Sequence, residues 1–209
     1  MPLIRTIQVD PETRLGVWKI TEEEDFFRTR VNISAAIHHP HKRLQHFAGR
    51  CLLLALFPDF PVGDIRIMDS RKPYLGCNSF HFSISHCGDY AAAIVSKSTA
   101  VGIDIEEPSS TIERVSHKFL SREEQAFISG EQPLAHKTVC WSAKEAVFKW
   151  YGLGKVDFKA HMHLHPFPFQ PAGHITCDFM KEDKKARLYL QYIMENELCL
   201  TWTVQTMAL

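Results

Sequence analysis

Strand-like runs open and close this chain, and helical runs sit between them twice over, without the strict strand–helix alternation that a doubly wound parallel sheet requires. Short alternating segments at Leu3–Val9 and Leu15–Ile20 predict strands. Thr21 and the acidic residues after it predict a helix to about Arg30. A longer helix follows His39-Pro40, from His41 to Phe57, with Leu44, Phe47, Cys51, Leu54 and Ala55 as its buried stripe. Strands are expected at Ile65–Met68, Phe80–Ser85, Tyr90–Ser96 and Ala100–Ile105. Helices return after Ser109, with Ser121 to Glu124 reading as a capping box and a long helix from Leu134 to Tyr151 closed by Gly152 and Gly154. Strands then end the chain at Phe158–Leu164, His174–Phe179, Ala186–Met194 and Glu197–Thr206. The order predicts an α+β fold in two halves, 1–98 and 99–209.

Charge and cysteine usage narrow the function classes. Lys plus Arg and Asp plus Glu number 24 each, so the formal net charge is zero, and whole-molecule charge does not hold such a chain on nucleic acid or anionic lipid. The six cysteines contain no C-x-x-C pair, which fits free thiols in a reducing compartment better than a zinc ribbon. The longest apolar run, Cys51 to Phe57, is too short to span a bilayer, and the first ten residues lack a signal-peptide pattern. A cytoplasmic protein with no nucleic-acid or membrane partner is the expectation.

Chemistry first shows at Val101-Gly-Ile-Asp-Ile-Glu106. On a strand, Val101, Ile103 and Ile105 share one face and Gly102, Asp104 and Glu106 the other, with the two carboxylates about 7 Å apart at Cα. Two hard oxygen donors so placed suit Mg²⁺, and Gly102 would leave room for a ligand. The plain alternative is a solvated acidic face. The long helix sharpens the choice. Val139, Ala143, Ala146, Val147 and Trp150 form its core stripe, while Trp141, Glu145, Phe148 and Lys149 share another side. Aromatics around a Glu and a Lys predict a half-buried wall rather than a solvent face; the plain alternative is an i,i+4 surface pair.

No Asp or Glu occurs between Phe26 and Pro58, a stretch with Arg28, Arg30, Lys42, Arg43, Arg50 and four histidines. It predicts a local positive region for a phosphorylated ligand or an acidic partner, or else an ordinary solvated helix face. His161, His163 and His165 could share a strand face and bind zinc or copper; an exposed face is the plainer reading.

In order along the chain, Lys72-Pro73, Phe82-Ser-Ile-Ser-His86, Val101–Glu106, Phe119-Leu-Ser-Arg-Glu-Glu124 and Trp141-Ser-Ala-Lys-Glu-Ala-Val-Phe-Lys149 resemble the signature of the 4′-phosphopantetheinyl transferases. The larger, pseudo-dimeric (Sfp-type) branch fits best. The resemblance spans about residues 40 to 154, and Arg71, Leu153 and Gln45 depart from frequent family residues. It implies two similar α+β halves with the active site in the cleft between them, working as a monomer. It also implies Mg²⁺-dependent transfer of phosphopantetheine from coenzyme A to a serine of an apo acyl or peptidyl carrier protein, releasing 3′,5′-ADP. By position, Asp104, Glu106 and Glu145 would hold the metal. Glu145 would be the base, with Lys144 helping to position the site. Lys72, Ser85, His86 and Lys149 would meet coenzyme A phosphates, assisted by Arg43 and Arg50. A Mg²⁺-dependent phosphodiesterase or pyrophosphatase, or a non-catalytic coenzyme A or carrier-binding module, would use many of the same residues.

Overall fold

The computed structural model describes residues 3–31, 37–77 and 79–205. The chain divides into two compact units, Met1–Val101 and Gly102–Leu209. Both mix helices with antiparallel strands, the α+β class expected from the order of elements.

The first unit contains strands β1 (Leu3–Asp10) and β2 (Thr13–Lys19), helices α1 (Glu24–Arg28) and α2 (Pro40–Leu56), then β3 (Ile65–Ile67), β4 (Pro73–Leu75), β5 (His81–Cys87) and β6 (Tyr90–Ser96). Four of these form a sheet in the order β1-β2-β6-β5, antiparallel throughout, and β3 pairs with β4. Helix α1 is shorter than the acidic run suggests. The carboxylate of Glu22 accepts from the Trp18 indole at 3.1 Å, which leaves Glu23 rather than Thr21 at the cap. The buried stripe of α2 is also rotated from the expected one: Ala48, Leu52, Leu53 and Leu56 are inside with Phe47 and Cys51, while Leu54 is half-buried and Ala55 exposed. Small residues explain the rotation. A Cβ on Gly49 would lie 2.7 Å from Ile84 Cγ2, so the helix lies closest to the sheet along its Ala48–Gly49 side. Phe27, Phe47, Leu52 and Leu53 are fully enclosed there, each such side chain contributing about 1.5–3 kcal/mol through burial. The short β4 went unpredicted because it begins with Pro73, a residue tolerated at the start of an edge strand but not read as strand-forming.

The second unit starts at Gly102 within β7 (Val101–Glu106), followed by α3 (Ser110–Phe119), α4 (Arg122–Ala126), α5 (Pro133–Tyr151) and strands β8 (Met162–Leu164), β9 (Ala172–Lys181), β10 (Lys184–Glu195) and β11 (Leu198–Val204). The sheet order is β7-β11-β10-β9-β8. The end of the last expected strand, Thr206, lies outside the described residues. Ser109 caps α3 through Ile112 N, and Ser121 and Glu124 close the expected capping box on α4. Gly152, at φ 74°, takes the left-handed position that stops α5. The strand expected from Phe158 begins only at Met162, because Asp157 Oδ1 accepts from Lys159 N and Ala160 N and turns the chain. Along α5 the whole stripe Val139, Ala143, Ala146, Val147 and Trp150 is buried, and Trp141, Glu145, Phe148 and Lys149 are half-buried, as a wall requires.

Among the described residues no helix is long and apolar enough to cross a membrane. All six cysteines are free thiols, and burial raises Cys177 and Cys199 to about 12.

Candidate active site

Gly102 decides how closely α5 lies on β7. A Cβ there would stand 2.0 Å from Ala146 O and 2.8 Å from Trp150 N. The space that the sequence suggested for a ligand is therefore filled by helix backbone. That contact seats α5 over the acidic face of β7, and the pairs across it follow. Lys149 Nζ meets Asp104 Oδ1 at 2.5 Å, the carboxylate being 2% exposed and the ammonium 25%. Trp141 Nε1 donates to Glu106 Oε1 at 3.2 Å. The surface pair of Glu145 with Lys149 gives way to this cross-element pairing.

Glu145 sits among like charges. Burial, then the charge of Asp104 and to a lesser degree Glu106, raises its carboxyl from 4.5 to about 7, against the opposing pull of Lys149. Asp104 and Glu106 are thus near enough to Glu145 for their charges to act on it. Among the described residues no three His, Cys, Asp or Glu are arranged to hold an ion by themselves. Mg²⁺ ordinarily takes one or two carboxylates and completes its shell with water and phosphate. The donor set suits that ion, and a cation there would offset the repulsion that raises Glu145.

Beside the carboxylates lies a cavity of about 610 Å³ lined by Phe119, Trp141, Phe148 and Phe158 with Glu145, two valines and the lysines Lys118 and Lys155. Trp141 packs against Phe119 and Phe158 with ring centroids 5.0 and 5.4 Å apart. Lys118, Phe119, Lys155 and Phe158 were not singled out from sequence as lining residues; Phe119 alone carried a signal, as the first residue of its motif. Lys144 is placed apart from this surface. Its side chain is fully buried and bonds Glu124 Oε2 at 2.8 Å together with three backbone carbonyls.

The remaining predicted residues lie in the first unit. Arg50 donates to His46 Nδ1 at 3.1 Å. Burial lowers Arg50 to about 10, and burial with the charges of Arg50 and His86 lowers His46 to about 4. Lys72 falls to about 8 through burial, and its charge helps lower His81. Burial disfavours the charged form of both Arg50 and Lys72, so an anion brought to either would be attracted more strongly than in water. His46 lies beside Arg50 and His86, and His81 beside Lys72; the sequence marked His46 only as part of the basic stretch and His81 not at all. Arg43 is engaged elsewhere, bonding Glu24 Oε2 at 2.7 Å and Ile37 O at 2.9 Å and so tying α1 to α2. Ser85 is buried and His86 exposed near the end of β5. The hairpin that follows them is clamped to α2, since Gln45 Nε2 and His41 Nε2 both reach Gly88 O, at 2.8 and 2.9 Å.

The three histidines after α5 do not act together. His161 Nδ1 accepts from Asp157 N, His163 bonds Ala160 O, and His165 pairs with Asp178.

The sequence of the unit that carries this site is similar to that of known proteins. Residues 100–203 match the family model described as the 4′-phosphopantetheinyl transferase superfamily, and the chain belongs to that superfamily. Over 136 residues it is 32% identical to a protein of Haemophilus influenzae (strain ATCC 51907 / DSM 11121 / KW20 / Rd) named putative 4′-phosphopantetheinyl transferase, covering 60% of this chain and 57% of that protein. Over 79 residues it is 39% identical to 4′-phosphopantetheinyl transferase psf-1 of Bacillus pumilus, covering 36% of this chain and 34% of that protein. The matched regions therefore span about half, or less, of these relatives' lengths.

Proposed function

We propose that this protein transfers 4′-phosphopantetheine from coenzyme A to a serine of an apo carrier protein, with Mg²⁺, and releases 3′,5′-ADP. The observation that carries the reading is the packing of α5 on β7, which gathers Asp104, Glu106, Glu145 and Lys149 beside the aromatic cavity. Membership of the superfamily and the names of two relatives support it.

Residue roles follow from chemistry. Asp104, Glu106 and Glu145 would hold the cation, whose charge neutralises the diphosphate when bound. Lys149 pairs with a phosphate oxygen once its hold on Asp104 is shared. Lys72, Arg50, Ser85 and His86 bind further phosphate oxygens, and Arg43 keeps its neighbouring helices in place. The serine oxygen bonds to the phosphorus that bears the pantetheine. The bond from that phosphorus to the bridging oxygen breaks, and 3′,5′-ADP departs with the electron pair. Glu145 takes the serine proton, the part that a positioned carboxylate plays for a hydroxyl nucleophile. The cavity walls Phe119, Trp141, Phe148 and Phe158 accept the extended, largely apolar pantetheine arm.

The test is incubation with coenzyme A, Mg²⁺ and apo carrier proteins of several kinds, followed by intact-mass measurement. A gain of one phosphopantetheine on the carrier, abolished by EDTA and restored by Mg²⁺, is the expected result. Cleavage of coenzyme A without carrier modification would instead support a phosphodiesterase, and binding without either change a non-catalytic module.

A further inference from the structure

Lys144 and Glu124 form a polar hub inside the second unit. The Lys144 ammonium reaches Phe119 O at 2.6 Å, Glu124 Oε2 at 2.8 Å, Met162 O at 2.9 Å and Phe158 O at 3.0 Å. Glu124 in turn accepts from Ser121 N at 2.7 Å and from Leu164 N at 2.8 Å. Both side chains are shut off from solvent, at 0% and 3% exposure. The acceptors and donors come from the end of α3, the start of α4, the loop after α5 and β8. A buried ion pair is a weak source of net stability, because desolvation cancels much of its attraction. What this one does supply is placement of the segments it joins.

Two of those segments are walls of the cavity. Phe119 and Phe158 present their rings to it while Lys144 holds their carbonyls. Trp141 lies against both rings and donates its indole N–H to Glu106. The geometry points to Glu124 and Lys144 as a positioning pair that sets the spacing of Phe119 and Phe158 and, through Trp141, the placement of Glu106. Neither residue touches substrate. The inference rests on the transferase reading above for the reaction that it serves.

The test replaces both charges by apolar groups of similar length, Glu124→Leu with Lys144→Met, in the full chain. Such a swap keeps the interior filled and leaves no unpaired charge, but it takes these partners from three backbone carbonyls and two backbone N–H groups, so the thermal midpoint falls and the variant is assayed well below it. The four tryptophans, Trp18, Trp141, Trp150 and Trp202, are labelled as 5-fluorotryptophan, and the Trp141 fluorine resonance is assigned with Trp141→Phe. The expected result is a shifted or broadened Trp141 resonance with the other three unmoved, and a kcat for transfer about 100-fold lower, the scale of an ångström-sized misplacement. Full transfer by the folded double variant, or an unmoved Trp141 resonance, overturns the positioning role. Should that variant fail to fold, Lys144→Arg keeps the charge but cannot direct a planar head to the same four acceptors, and the same two signals decide. Absence of transfer in the unaltered chain would defeat the underlying reading, whereas an unmoved resonance defeats this pair alone.

Discussion

Gly102→Ala is the sharpest perturbation that the packing offers. The new methyl carbon would lie 2.0 Å from Ala146 O, where such atoms are essentially never closer than 3.0 Å. The obstacle is helix backbone, so no side-chain rotation relieves it, and α5 must retreat from β7 by about 1 Å. Overpacking of this kind costs about 1–3 kcal/mol, which lowers the thermal midpoint by about 2–4 °C for each kcal/mol in a chain of this size. The retreat also carries Glu145 and Lys149 away from Asp104. Misplacing a reacting group by an ångström costs about 100-fold in rate. Calorimetry and a carrier-modification assay on the same preparation read both effects, with the loss expected in kcat. A variant with an unchanged midpoint and a raised KM for coenzyme A would mean that Gly102 makes room for substrate after all, and the packing argument would fail.

Glu145→Gln removes the proposed base while keeping its shape; transfer measured by the carrier mass gain at saturating coenzyme A and Mg²⁺ should fall by about 10²–10⁴-fold. Lys72→Met deletes a desolvated cation, and coenzyme A should bind about 10–100-fold more weakly, the worth of one charge-assisted hydrogen bond; the deficit should shrink as salt is added. His46 has its folded-state value depressed from 6.5 to about 4, so the stability tied to its neutral ring is present above pH 6.5 and is lost as pH falls toward 4. Replacing it by Gln, which keeps an acceptor for Arg50, should flatten the thermal midpoint across that window.

Much of this arrangement was legible in the residues themselves. The alternation of Val101 to Glu106 placed two carboxylates on one strand face, and the mixed aromatic and charged side of the long helix announced a half-buried wall. Both readings depend on local periodicity, which a sequence displays directly. What stayed hidden was contact between distant elements. Nothing around Gly102 says that the space it leaves belongs to Ala146 and Trp150. Nothing around Lys144 distinguishes it from Lys149, five residues on. One is sealed in the interior against Glu124 and the other meets Asp104 near the cavity. The stripe of α2 misled for the same reason: Gly49 and Ala48 set the face that approaches β5, and hydrophobicity alone favours Leu54 and Ala55. Lys72 and Arg50 carry no sequence mark of the burial that depresses them, since that depends on which parts of the unit cover them.

Strand β7 stands at one end of its sheet with β11 as its neighbour. The segment bearing Asp104 and Glu106 is thus stitched to residues 198–204, made nearly a hundred residues later. During synthesis the acidic strand therefore leaves the ribosome well before the strand that it pairs with. A product that stops before β11 would retain each proposed reactive side chain and still lack the neighbour that holds β7 in its sheet.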